Sequence, residues 1–426
     1  MLESNIILFL LTLLYVSRRY QYVKKHGKLV GFFTNPLLWY IFFMLFYCLS
    51  SNIFLMLFGQ QLIVHMGAPI ADYNFQASSV FTTSFFLINL SFYLLSKDND
   101  LKYSFAEISM SKQYNILLIS ISFLFLIFLA YIFIGNYWQI YSLRYNRALA
   151  YDAYVNRVVI PYKYGISLNI SVVFVATAIL ISKNRLYKAI VFFICMLVFL
   201  IDYSHGGRVA TLKLVIAIYI SLILYHRKSN FILMTIVVTS MLFSAMLTRF
   251  VSEDLNLTGF LFAFLSEFIF TRITVDLILN SSLHGSVLDL STQVLFSLFP
   301  GQANSFFGLE PKYLGSIIQE HFHSPIGLAC NPVTEAIYFF GSFYLIGAII
   351  ISWFLLILNS KFFKSSMVPL FILILYISSL QDIIRNSFFS SAFYPFYLCY
   401  SYGLIFSILF YKKVIKLNCS RRLNAT

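Results

Sequence analysis

An all-α, polytopic membrane protein is what this sequence predicts, and three observations lead there. Of its 426 residues, 60% are hydrophobic and only 11% charged, with a mean hydropathy of +0.82, whereas soluble domains carry roughly 25% charged residues. The apolar residues fall in runs of about 20, the length a helix needs to cross about 30 Å of hydrocarbon. Taken together, every second polar break and the tail hold about twice the Lys and Arg of the other breaks, the bias that the positive-inside rule imposes on alternating membrane faces. No soluble domain and no internal repeat is visible, so 1–426 reads as a single integral-membrane domain.

The first run, 4 to 17, has the length of a signal peptide. Arg18 and Arg19 follow it instead of preceding it, and no small-residue cleavage site appears. It is expected to be a helix with the N-terminus outside. Further helices are expected at 36–58, 76–96, 114–135, 164–182, 189–203, 209–225, 230–248, 335–358, 367–384 and 395–411, about eleven spans in all, with the C-terminus cytoplasmic. On that topology the inside breaks and the tail hold about twenty of the cations and the outside breaks about ten.

The segment 249–334 is expected to be one long outer, periplasmic loop. Its stretch from Leu257 to Asn280 is apolar enough to suggest a span, but Glu267, Arg272 and Asp276 argue against one because intramembrane charge is costly. The expectation is therefore a short interfacial or re-entrant helix at the outer face. Residues 291–299 stop at Pro300 and are too short to cross. Five cysteines show no pairing pattern, and neither a disulfide framework nor a metal site is expected.

The outer cations are distinctive in kind. They are Arg144, Arg147, Arg157, Lys163, Arg208, Lys213, Arg249, Arg272, Lys312 and Arg385, mostly arginine, while the inside set is mostly lysine. Topology asks for positive charge inside and does not ask for arginine outside. A guanidinium fork grips phosphate bidentately, so an anionic ligand at the outer face is the natural reading. The alternative is that these arginines pair with Asp152, Glu253 and Asp276 or snorkel to headgroups.

Four stretches could carry chemistry. In Ile201–Ala210, I-D-Y-S-H-G-G-R-V-A, Arg208 opens a helix behind Gly206-Gly207, which lets a phosphate approach the backbone, and His205 could move a proton. The alternative is a tight hairpin with an Asp202–Arg208 ion pair. In Gln319–Gly341, His321, His323 and Glu335 are candidate acid-base groups, with helix capping as the alternative for Glu335. His-x-His lacks further ligands at metal spacing. In the 136–163 loop, arginines alternate with Tyr and Trp, which suits a phosphate-linked glycan as well as an ordinary interface belt. In Ser379–Pro395, Asp382 and Arg385 share a helix face and could pair.

With these residues in view, the chain resembles the O-antigen polymerases of the Wzy type. The resemblance covers nearly the whole chain in layout: many spans, a large periplasmic loop late in the sequence, the G-G-R turn at 206–208, the Glu335 helix opening followed by F-G, and R-N-S-F-F at 385–389. Some members carry paired motifs of Arg, ten residues, then Gly; no arginine here has glycine at that spacing.

The resemblance implies a GT-C-like architecture in a bacterial inner membrane. It implies an enzyme of lipopolysaccharide or other surface-polysaccharide biosynthesis that transfers a growing glycan from undecaprenyl pyrophosphate to another lipid-linked repeat unit. Partners would be that lipid-linked oligosaccharide, membrane lipids and a chain-length regulator protein, with no cofactor, no metal and no nucleic acid. Arg208 and Arg385 are the first candidates for the pyrophosphate, with Arg147, Arg157, Arg249 and Arg272 behind them and His205 beside them. His323 or His321 is the expected base and Glu335 the alternative. A lipid-linked oligosaccharide flippase and an O-antigen ligase are the competing readings.

Overall fold

The computed structural model describes residues 1–66, 71–101, 112–143, 170–204, 209–228, 257–298, 314–324, 328–365 and 367–393. Among them every regular element is helical and no strand occurs. Five helices are long and apolar enough to cross a membrane: Pro36–Gly59, Phe75–Leu95, Asn115–Ile134, Val209–His226 and Val368–Arg385. Ile170–Leu180 and Leu345–Leu358 are shorter and apolar. The spans expected at 230–248 and 395–411 lie outside the described residues.

The chain begins with α1 (Leu2–Lys25), which carries Lys24 and Lys25 in its last turn, where cations favour the helix dipole. After α2 (Leu29–Phe33), Asn35 caps α3 (Pro36–Met44), accepting the Leu37 N–H at 3.1 Å ahead of a proline at the first helical position. A π-helical stretch, Leu45–Ser50, joins α3 to α4 (Ser51–Met66) without a break. Then follow α5 (Phe75–Leu95), α6 (Lys112–Leu143), α7 (Ile170–Leu180), α8 (Arg185–Ser204) and α9 (Val209–His226).

The later elements are α10 (Leu257–Leu279), α11 (Val287–Leu298), α12 (Leu314–His321), α13 (Pro332–Phe340), α14 (Leu345–Leu358), α15 (Met367–Arg385) and α16 (Phe388–Ser391). At 1.5 Å per residue α15 rises about 28 Å, close to the thickness of the hydrocarbon core, and so sets two ends of the bundle.

The two classes of polar break separate in space. At one end Arg19 forms a two-bond pair with Asp98 at 2.9 Å, and Lys364 donates to the Asn99 carbonyl at 2.9 Å and to Asn359 Oδ1 at 2.8 Å. This joins the breaks near 19–35, 96–101 and 359–364. At the other end Lys213 meets Asp382, Asn280 donates to the Asp72 carbonyl, and the Gly285 N–H reaches the Tyr338 carbonyl at 2.9 Å.

Two expectations change. The helix expected over 335–358 is broken: α13 ends at Gly341, whose φ of +53° and ψ of −124° no helix can continue, and a 3-10 turn, Gly341–Phe343, leads into α14. The second change concerns 257–280. Of the two alternatives, the helix lying on the face gives way: α10 is a continuous helix of 23 residues whose 268–278 part is packed into the bundle. Its Phe268 ring lies 5.4 Å from Phe46 and 4.9 Å from Tyr47, in the middle of a spanning helix. Two of the three charges that argued against insertion neutralise each other, since Arg272 and Asp276 pair at 2.9 Å with side chains 0% and 1% exposed.

Candidate functional site

The end of the bundle that carries Lys213 and Asp382 brings together three stretches far apart in sequence. Asp202, buried near the end of α8, accepts the Thr211 N–H at 2.8 Å and so satisfies a free donor in the first turn of α9. Two residues on, the Lys213 ammonium reaches Asp382 Oδ2 of α15 at 2.7 Å. The other oxygen of Asp382 accepts from the Asn386 amide at 2.6 Å. Arg385 closes α15 and is half-buried beside this cluster.

The third stretch is α13. Asn331 is its cap, accepting the Val333 and Thr334 N–H groups at 3.0 Å each. Glu335 is therefore not the cap of its own helix. Its side chain, in a residue 0% exposed, accepts the Phe389 N–H at 2.9 Å, across to α16. Just before that helix Ser387 takes a φ of +77° and donates its N–H to the Cys330 carbonyl at 3.2 Å. A left-handed backbone at a non-glycine residue costs of order 1 kcal/mol or more and persists only where neighbours hold it. Here two hydrogen bonds from the Cys330–Glu335 segment hold it. Thr334 also meets Thr274 of α10 at 2.8 Å, so α13 is tied on both sides.

The sequence candidates separate into distinct environments. Arg272, expected among the anion-binding arginines, is fully buried and donates to Asn52 at 2.6 Å, Ser78 at 2.8 Å and Asp276 at 2.9 Å. Asn52 in turn bonds Asn5 at 3.1 Å and Thr82 at 2.8 Å, so the guanidinium ties α10 to α1, α4 and α5. That is a structural role, and it removes Arg272 from the ligand-facing set. Asp382, for which pairing with Arg385 is one reading of the sequence, also has Lys213 as a partner. His321 ends α12 and His323 follows at φ +49°; both are exposed. His205, Arg208, Arg147, Arg157 and Arg249 lie outside the described residues, although Arg208 directly precedes the start of α9 in the chain.

Sequence reasoning passed over Asn331 and Asn52, and gave Lys213 no role beyond its place among the outer cations. Each carried a readable signal: an ammonium or a primary amide within an apolar run, or an Asn-Pro pair before one. Among the described residues no group of three or more His, Cys, Asp or Glu could hold a metal ion. No family model, no curated protein and no solved structure matches this chain.

Proposed function

We propose that this chain is a glycosyltransferase that polymerises lipid-linked oligosaccharide repeat units, with undecaprenyl pyrophosphate as leaving group, at the outer face of a bacterial inner membrane. The observation that supports it most directly is the convergence of Asp202 and Lys213 with the 330–335 and 382–389 stretches at one end of an apolar bundle, through Lys213–Asp382 and Glu335–Phe389. A lipid carrier calls for such a site. Its prenyl chain stays in hydrocarbon while its diphosphate and sugars meet polar groups gathered at helix ends.

In this reading Arg385 and Arg208 hold the diphosphate and take up the charge that develops on it. The acceptor hydroxyl oxygen attacks the anomeric carbon of the donor, and the bond from that carbon to the diphosphate oxygen breaks, its electron pair leaving with the diphosphate. The hydroxyl proton passes to an imidazole, His323 or His321, both of which are exposed and able to meet a glycan.

The test is a purified protein mixed with its lipid-linked repeat unit and resolved on a gel. A ladder of lengths is expected, lost in Arg208→Ala at unchanged protein level and poorly restored in Arg208→Lys. A wild-type protein that yields no ladder overturns the function; a fully active Arg208→Ala overturns that residue's role alone.

One observation favours the flippase reading. Two ion pairs, Arg272–Asp276 and Lys213–Asp382, have largely buried cations within the helical bundle, and transporters use intramembrane charge. A lipid-linked unit that changes leaflet without gaining length identifies that activity. Transfer that needs a lipid A core acceptor identifies a ligase.

A further inference from the structure

At the end of the bundle opposite the candidate site, α7, α8 and α9 leave an open crevice of about 320 Å³ between them. Ala178, Cys195 and Leu222 form part of its apolar wall, and Lys188, Tyr225 and His226 line it at the ends of α8 and α9. From Lys188 to Cys195 the wall runs about 10 Å along α8. Lys183, Arg185 and Lys228, all exposed, lie within five residues of Lys188 or His226 in the chain, and no acidic residue occurs in 178–195 or 218–228.

At the same end two cations, Arg19 and Lys364, are held by the protein itself. Arg19 is bound to Asp98 at 2.9 Å, and Lys364 is buried among carbonyl and amide oxygens. Among the described residues no ion pair holds Lys183, Arg185, Lys188 or Lys228. The positive-inside rule accounts for basic residues at this end. It does not account for an apolar slot that opens beside Lys188 and His226, with no acid among its lining residues.

We infer that this crevice is a binding site for an anionic phospholipid: an acyl chain lies along the α7–α8–α9 slot and the acidic headgroup meets Lys188, Arg185 and His226. Basic pockets between membrane helices suit anionic headgroups. A zwitterionic headgroup brings its own ammonium into a rim of like charge and gains less. The acyl chain adds apolar burial that either lipid supplies, so the charge sets selectivity and the slot sets occupancy.

The experiment is native mass spectrometry of the full-length protein in detergent, titrated with phosphatidylglycerol or with phosphatidylcholine of the same chains. Phosphatidylglycerol should bind tighter by on the order of tenfold, the gain from one or two cations near the headgroup. Arg185→Gln with Lys188→Gln should bring the two lipids level. Lys24→Gln with Lys25→Gln, exposed cations outside the crevice lining, should leave the preference intact. Cys195→Trp, filling the slot, should weaken both lipids together. The proposal is overturned by equal binding of the two lipids to the wild type, by a Lys24/Lys25 variant that loses as much preference as the crevice variant, or by a slot-filled protein that binds both lipids unchanged.

Discussion

Replacing Glu335 separates two chemistries that the sequence alone leaves together. As a general base, Glu335 must take a proton; as a positioning group, it need only offer an oxygen to the Phe389 N–H at 2.9 Å. Glu335→Gln keeps the oxygen and removes the proton acceptor. A hydrogen bond to a charged group is worth about 1.5–3 kcal/mol and one between neutral groups about 1 kcal/mol. The Gln variant should therefore lose about 1 kcal/mol at the turn, a factor of about 5 in the population of the ordered state. Glu335→Ala leaves a buried N–H without its partner, about 1–3 kcal/mol, and opens space in a packed site, about 2 kcal/mol or more. The substitution removes one of the two hydrogen bonds beside Ser387, whose left-handed φ of +77° itself costs of order 1 kcal/mol or more. The assay is the rate of ladder formation, paired with limited proteolysis at 386–393 to report whether the turn is held. The Gln variant should polymerise within about tenfold of wild type and resist cleavage, while the Ala variant should fail on both counts. A Gln variant that resists cleavage yet loses 10²–10⁴-fold in rate, the range of a missing base, refutes the positioning argument.

Three further perturbations test the frame around the site. Asp276→Ala removes the counter-charge from a fully buried guanidinium and should destabilise the protein by about 3–5 kcal/mol, read as a lowered melting temperature in detergent; an unchanged melt contradicts the role given to Arg272. Burial pushes the Lys364 ammonium down to about 7, against the pull of Asp98 and Asp100. The folded state therefore sheds this proton at lower pH than the unfolded chain does, so stability should rise from pH 7 towards 10, and Lys364→Met should flatten that rise. At Gly31 an added Cβ falls 2.8 Å from the carbonyl carbon and oxygen of Asp98, backbone atoms that cannot swing aside; Gly31→Ala should cost about 1–3 kcal/mol, with a melt equal to wild type as the opposing result.

Where the sequence spoke clearly, composition alone carried the signal. The run expected at 76–96 is a helix over Phe75–Leu95 because Asn74 caps it, accepting the Ala77 N–H at 3.0 Å, and the polar Ser96 ends it. Hydropathy does not register φ, so the break at Gly341 inside an apolar stretch stayed hidden. Capping stood as the alternative to an acid-base role for Glu335 because a carboxylate in a first turn is favoured there, but Asn331 lay ahead of Pro332 and took the cap position. The Lys213–Asp382 pair joins residues 169 apart, and no local pattern announces it.

The largest revision concerns α10, and it turns on how charge is counted. Taken one at a time, Arg272 and Asp276 each oppose insertion. Taken four apart on one helix face, they are a pair, and Asn52 and Ser78 accept from the other two guanidinium nitrogens. The order of contacts gives the helix its direction: Phe268 lies against Phe46 and Tyr47, Arg272 against Asn52, and Asp276 accepts the Asn74 N–H at 3.1 Å. Numbers rise together, so α10 runs parallel to α3 and α4 and its C-terminal end arrives at the candidate site. The polar segment at that end then begins at Asn280, and α10 becomes one of its walls. Cysteines at Phe46 and Phe268, whose rings are 5.4 Å apart, should be joined by a short bismaleimide in membranes, whereas Phe268 paired with the exposed Tyr22 should not. A helix lying on the membrane face would leave Phe46 and Phe268 unlinked, and the wall would have to be drawn without it.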